Sequence, residues 1–258
     1  MSDIPIALQL YSVRHDLHKS VRATLKAVAD MGYDGVEFAG APQHSAQHLR
    51  ELLDAFGLAC CGWHTPYELL QENSLEETIA FHKTLGNARL IVPGIPEHLR
   101  RSRADWQNQA KFFNNLAGKL EPHGMATGYH NHFVEFQALD GELPWDTLFG
   151  NTHASIIMQL DMGNALYGGG DVVAVLERYP GRAETVHLKA YSKEAGKNDP
   201  MLGFRPLIGD DDVPWEAVFQ ICETTGGTQW YIVEYESDAY PPLEAVDRTL
   251  KNLKAMRV

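Results

Sequence analysis

The chain has 258 residues, 44% of them hydrophobic and 22% charged, and a formal net charge of −12. That length suits one α/β barrel of roughly 250 residues, and the acidic balance argues against nucleic acid as a partner, which needs a concentrated basic surface. Three cysteines, two of them adjacent (Cys60, Cys61 and Cys222), are poor material for a disulfide framework; with no basic or apolar leader and no apolar run near the ~20 residues of a membrane helix, a cytoplasmic location away from membranes is expected.

In chain order, residues 6–10 form a compact apolar run suited to a buried strand. Between Asp16 and Met31, Leu17, Val21, Leu25 and Val28 recur at helical spacing, and Gly32 closes that helix. A second strand begins at 34–38. Leu49, Leu52, Leu53 and Phe56 then make a helical face that ends at Gly57, and residues 58–62 follow as strand three. Ser74-Leu-Glu-Glu77 has the spacing of a capping box and opens a helix that stops at Gly86. Strand four is 88–92, and Trp106, Ala110, Phe113, Ala117 and Leu120 form the next helical stripe. Strand five (125–129) precedes a short helix at 145–149. Strand six (154–160) precedes a helix at 171–179 with Asp171 as its N-cap. Strand seven (183–188), a helix at 214–225 and strand eight (230–233) lead to a final amphipathic helix carrying Leu243, Val246, Leu250 and Leu253.

Eight strand-then-helix units at intervals of about 30 residues predict a (β/α)8 TIM barrel, one domain over 1–258. An open doubly wound sheet is the alternative, but no glycine-rich dinucleotide turn follows the first strand.

In such a barrel, catalytic groups come from strand C-termini and the loops after them. Those positions hold Glu37, His64, His130, His132, Glu135, Asp161, His187, Lys189 and Glu234, besides Gln9, Tyr11, Asn131, Asn164 and Glu236. Strand alternation puts His130 with His132, and His187 with Lys189, on shared faces. Any one of these residues alone reads as a hydrogen-bonded rim group. Acids and imidazoles ending four consecutive strands, five to eight, form a ligand set for one divalent ion such as Mn²⁺, Mg²⁺, Co²⁺ or Zn²⁺. Lower in rank, Gly168-Gly-Gly170 reads as a plain turn, Trp63, Trp145 and Trp215 as packing, and the long connection 190–213 as a lid.

Leu8-Gln-Leu-Tyr-Ser-Val-Arg14, Gly32-Tyr-Asp-Gly-Val-Glu37, Gly128-Tyr-His-Asn-His-Phe-Val-Glu-Phe136, Leu160-Asp-Met-Gly-Asn164, Val186-His-Leu-Lys189 and Ile232-Val-Glu-Tyr-Glu236, in that order, resemble the sugar phosphate isomerase/epimerase family of xylose-isomerase-like TIM barrels. The resemblance runs nearly end to end. It implies one divalent ion held at the ends of strands five to eight, with Asp161, His187 and Glu234 at the last three positions. The first position departs from the family's glutamate: His130 stands there, and His132 and Glu135 are the other contenders. The implied activity is metal-dependent isomerisation or epimerisation of a keto-sugar, sugar or cyclitol through an enediolate, with Glu234, His130 or His132 moving the proton. Glu135, Lys189, His64 and Glu37 are then expected to contact substrate. A histidine in place of one of two opposed glutamates leaves room for a lyase or dehydratase acting on a keto-sugar or keto-glycoside. A sugar-binding barrel without catalysis is a further alternative, a phosphodiesterase is opposed by the charge, and a homo-oligomer stays open.

Overall fold

A computed structural model describes residues 4–256. Eight strands form its frame: β1 (Ile6–Gln9), β2 (Gly35–Ala39), β3 (Ala59–His64), β4 (Arg89–Val92), β5 (Ala126–His130), β6 (Ile157–Gln159), β7 (Thr185–Leu188) and β8 (Trp230–Val233). All neighbouring pairs are parallel, in the order β6-β5-β4-β3-β2-β1-β8-β7. The ring closes between β6 and β7 through an isolated parallel bridge, Asp161 with His187. There the His187 N–H donates to the Leu160 carbonyl at 2.9 Å. The strands are short and almost wholly buried, as apolar runs covered on both faces must be. The expected TIM barrel is the observed fold.

The helices are α1 (Arg14–Lys19), α2 (Val21–Met31), α3 (Ala46–Phe56), α4 (Leu75–Leu85), α5 (Arg103–Leu120), α6 (Pro144–Phe149), α7 (Met162–Tyr167), α8 (Val172–Arg178), α9 (Trp215–Thr224) and α10 (Pro242–Met256). The single helix expected over 16–31 is two. Ser20 leaves helical geometry at φ −162°, and its hydroxyl caps α2 by accepting from the Ala23 N–H. The capping box expected at Ser74 makes no side-chain cap bond; the box lies instead at Ser102–Asp105, opening α5. Strand six is three residues rather than seven, because Asp161 turns the chain into α7, a helix that the apolar pattern did not reveal.

Two further expectations change. The connection 190–213 is packed rather than free, since Tyr191, Phe204, Leu207 and Ile208 are all buried. Gly168 is a position of close approach: a Cβ there would stand 2.4 Å from the Phe133 carbonyl oxygen. That supports the turn reading. Inside the barrel, Ala7, Cys61 and Ile232 form a small apolar layer at the N-terminal end, and the polar side chains gather above it.

Candidate active site

Strand alternation decides which side chains meet. On β1 and β2, Ala7 and Gln9 pair with Gly35 and Glu37, so Gln9 and Glu37 point inward one step above the apolar layer. Glu37 is fully buried and has four nitrogen neighbours. Its Oε2 accepts from Gln9 Nε2 at 2.7 Å and lies 2.7 Å from His187 Nε2 and 3.1 Å from His64 Nε2; its Oε1 accepts from Gln159 Nε2 at 2.8 Å. Burial alone would raise its pKa, but His64 and His187 outweigh that and hold the carboxylate below its ordinary value. Gly62 makes room for it, because a Cβ there would lie 2.6 Å from Glu37 Oε1.

Gln159 joins this centre to the next. Its Oε1 meets His64 Nε2 at 2.7 Å and His130 Nδ1 at 3.2 Å, while its Nε2 also donates to Thr185 Oγ1 at 2.9 Å. Reasoning from sequence missed Gln159. The signal was its place two residues before Asp161, on the same inward face of a strand that is otherwise apolar.

His187 sits between two carboxylates, with Nε2 on Glu37 and Nδ1 2.5 Å from Glu234 Oε2. Burial would depress it, yet Glu37 and Glu234 lift it to about 10, so the metal-free ring is an imidazolium. His64 and His130 move the other way: burial leads and lowers both. The three rings pack together, His130 lying 4.5 Å from both His64 and His187.

Asp161 ends β6. Asn131 holds its backbone on both sides, accepting from the Asp161 N–H at 2.7 Å and donating to its carbonyl at 3.1 Å. Its Oδ1 accepts from the Asn164 N–H at 2.7 Å, but its Oδ2 is buried without a hydrogen-bond partner. The nearest cations are too far to satisfy it: Lys189 Nζ and His130 Nε2 are each at 3.9 Å. Burial raises Asp161 to about 6. Lys189 also reaches Glu234 Oε1 at 3.6 Å and Glu236 Oε1 at 3.5 Å, which keep it protonated despite burial. Lys189 in turn helps hold Glu234 well below its ordinary range against burial, whereas burial and Glu234 lift Glu236 to about 8.

Above these groups opens a cavity of about 340 Å³, bordered by Tyr11, His64, His130, His132, Glu234 and Glu236. Of the nine candidates, His64, His130, His132 and Glu234 line it. Glu37, Asp161 and His187 are fully buried among them, and Lys189 bridges the acids. Glu135 does not belong with the rest. It is buried, its Oε1 accepts from Tyr129 Oη at 2.6 Å, and its Oε2 accepts from the His132 N–H at 2.8 Å. Both oxygens are spent on shaping the loop after β5, so the expected substrate contact is replaced by a loop brace.

The fit to a divalent ion can be judged from the donors. One ligand atom each from His130, Asp161, His187 and Glu234 lies within 4.8 Å of the others. Opposite ligands of an ion with bonds near 2.1 Å stand ~4.2 Å apart, so small adjustments close the set. Asp161 Oδ2 is the orphaned acceptor that an ion would satisfy. The residues fit.

Residues 25–256 match the family model for the xylose isomerase-like TIM barrel. The chain belongs to that family. It is 24% identical over 242 residues to a rhizopine catabolism protein of Rhizobium meliloti, across 83% of this chain and 74% of that one. The inosose dehydratase of Clostridium beijerinckii is 26% identical over 248 residues, 83% of this chain and 82% of that enzyme; the Clostridium perfringens enzyme matches over only 54% of its own length. A sugar phosphate isomerase/epimerase from Parabacteroides distasonis superposes with a TM-score of 0.83 at 21% identity, covering 99% of this chain and 95% of that one.

Proposed function

We propose that this protein removes a proton next to the carbonyl of a keto-sugar or cyclitol ketone and then expels a neighbouring hydroxyl, a metal-dependent dehydration. The observation that carries the reading is Asp161 Oδ2, a buried carboxylate oxygen left unpaired among His130, His187 and Glu234. Those four residues would hold the ion. An ion there would supply Lewis-acid charge that stabilises an enediolate. To serve as a ligand, His187 must lose one ring proton and one of its two carboxylate contacts, so ion uptake releases protons and strengthens as pH rises.

The proton chemistry falls to the chain's own residues. His132 borders the cavity, and its backbone N–H is fixed by Glu135, which aims the residue at bound substrate. It takes the proton from the carbon beside the carbonyl. The electron pair left on that carbon forms the new carbon–carbon double bond as the hydroxyl leaves from the next carbon. Glu236, raised to about 8, carries a proton at neutral pH and gives it to that hydroxyl, which departs as water. Lys189 keeps Glu234 and Glu236 in place.

Two points favour elimination over epimerisation: the inosose dehydratases among the relatives, and His130 at the place of one of the two opposed glutamates that would serve an epimerase. Isomerisation or epimerisation is the second reading, because Glu236 and His132 both line the cavity and either could return a proton to carbon. Incubating the metal-loaded protein with inosose in deuterium oxide separates them. Dehydration gives a conjugated product absorbing in the ultraviolet; epimerisation returns deuterium to an otherwise saturated sugar. If neither is seen across inosose and a panel of keto-sugars, the catalytic reading falls.

A further inference from the structure

Beside the catalytic cavity lies a second one of about 380 Å³, within the range of small-molecule sites. Its floor is apolar: Leu17, Val21, Phe38, Leu49 and Trp63. Phe38 and Trp63 stack at 4.7 Å between ring centres and 17° between planes, and the Trp63 Nε1–H is already used on the Gly40 carbonyl at 2.8 Å. The floor therefore offers flat hydrocarbon and no free donor. Its mouth carries the Arg14 guanidinium, with the His18 and His44 rings beside it, and no carboxylate is among the residues that border it. Among the described residues, no acid pairs with Arg14. Its guanidinium donates to the Tyr11 carbonyl of its own turn at 2.9 Å and lies 4.3 Å from the centre of the Tyr11 ring.

Two shared walls tie this hollow to the active site. Ala39 borders both cavities, with Gly40 on the catalytic side and Ala41 on the other. Tyr11, 45% exposed, borders the catalytic cavity while Arg14, stacked on it, borders the second. Ala39 and the Tyr11–Arg14 pair thus stand between the two cavities.

We propose that the second cavity is a subsite for another part of the same substrate: a ring-sized apolar group bearing an anion, linked to the sugar that occupies the catalytic cavity. Flat hydrocarbon below, the Arg14 charge at the mouth and a wall shared with the catalytic cavity fit that group together. A bare monosaccharide, polar on every edge, would leave the hollow unfilled. The linkage to a sugar rests on the proposed dehydration; the binding of the apolar anion does not.

The test has two arms. In the first, benzoate is titrated into the full-length protein and followed by ligand-observed NMR. Benzoate is expected to bind, to lose binding in Ala41→Trp, whose indole fills the hollow from an exposed position, and to weaken at least tenfold in Arg14→Gln. Benzyl alcohol, the uncharged control, should bind the native protein and Arg14→Gln alike. In the second arm, inosose and inosose carrying an O-linked 4-carboxybenzyl group are compared as substrates. The conjugate should show a kcat/KM at least tenfold higher, and Ala41→Trp should erase that advantage while leaving inosose turnover unchanged. Benzoate binding that is indifferent to Ala41→Trp overturns the subsite, as does equal kcat/KM for the two substrates. Benzoate binding as expected with no turnover of any sugar upholds the apolar-anion site and removes the dehydration instead.

Discussion

The barrel mouth holds two carboxylate centres built on opposite terms. On the β1–β3 side, Glu37 is surrounded by Gln9, His64, Gln159 and His187, each within 3.1 Å of one of its oxygens. On the β6–β8 side, Asp161 has one oxygen on a backbone N–H and the other unpaired. Both are fully buried, so exposure does not explain the difference. A buried carboxylate that collects its donors from the protein is finished when folding ends; one left short of donors is stable only with something added. Glu37 is thus the more fully partnered of the two, and Asp161 keeps one buried oxygen for the ion proposed above.

The comparison is sharpest in mutants. Asp161→Asn should abolish turnover, by a factor of at least ~1,000, and remove the bound ion in elemental analysis of the purified protein. The same change should stabilise the metal-free protein by about 1–3 kcal/mol at pH 8, read from urea unfolding. The sign follows from burial: the folded-state pKa of about 6 lies above the ordinary 3.8, so ionised Asp161 opposes folding above pH 6 and its cost disappears as pH falls toward 4. An unchanged or lowered urea midpoint in metal-free Asp161→Asn would break the contrast. Glu37→Gln should do the reverse, destabilising the fold by about 3–5 kcal/mol by leaving the His187 imidazolium with one carboxylate fewer in a dry interior.

A third effect lies away from the mouth. His82 is buried behind Trp63, its Nδ1 3.0 Å from Asn87 Nδ2, and burial lowers it to about 4 from an ordinary 6.5. The unfolded chain therefore binds the proton first. Stability should fall as pH drops from 6.5 to 4, by roughly 3 kcal/mol from this group, and His82→Gln should flatten that part of the urea-midpoint profile while leaving the Asp161 contrast at pH 8 intact. Smaller again, Glu135→Gln leaves an acceptor for Tyr129 and should cost about 1–2 kcal/mol of stability, with a larger fall in kcat than in substrate affinity because it loosens the loop that aims His132. Lys26→Ala, which removes an exposed pair with Asp30 at 2.6 Å, should change the midpoint by less than about 0.5 kcal/mol and sets the baseline for the others.

Much of this architecture is written in local pattern. Each buried parallel strand is a short apolar run, and each covering helix shows its stripe, so eight units can be counted without coordinates. The failures are local as well. Ser20 splits a helix whose apolar spacing runs on through the break, since a cap depends on one residue's backbone angles rather than on periodicity. Ser74 and Glu77 have the spacing of a cap without its bonds, because nothing in a four-residue motif sets the φ and ψ of its first residue.

The site divides in the same way. His130, Asp161, His187 and Glu234 could be named because they end consecutive apolar strands, where a polar group is conspicuous. Glu135 looked alike and is a brace, since its neighbours Tyr129 Oη and the His132 N–H come to it only when the loop folds back. Gln159 was silent, being neutral and set inside an apolar run, yet it connects the two centres. By itself, then, the sequence determined the barrel and the residues available at its rim, because periodicity and strand ends are properties of neighbours along the chain. Which carboxylate is satisfied and which is left short was decided only by the tertiary structure, because a buried group's charge and partners depend on strands 28 to 150 residues away.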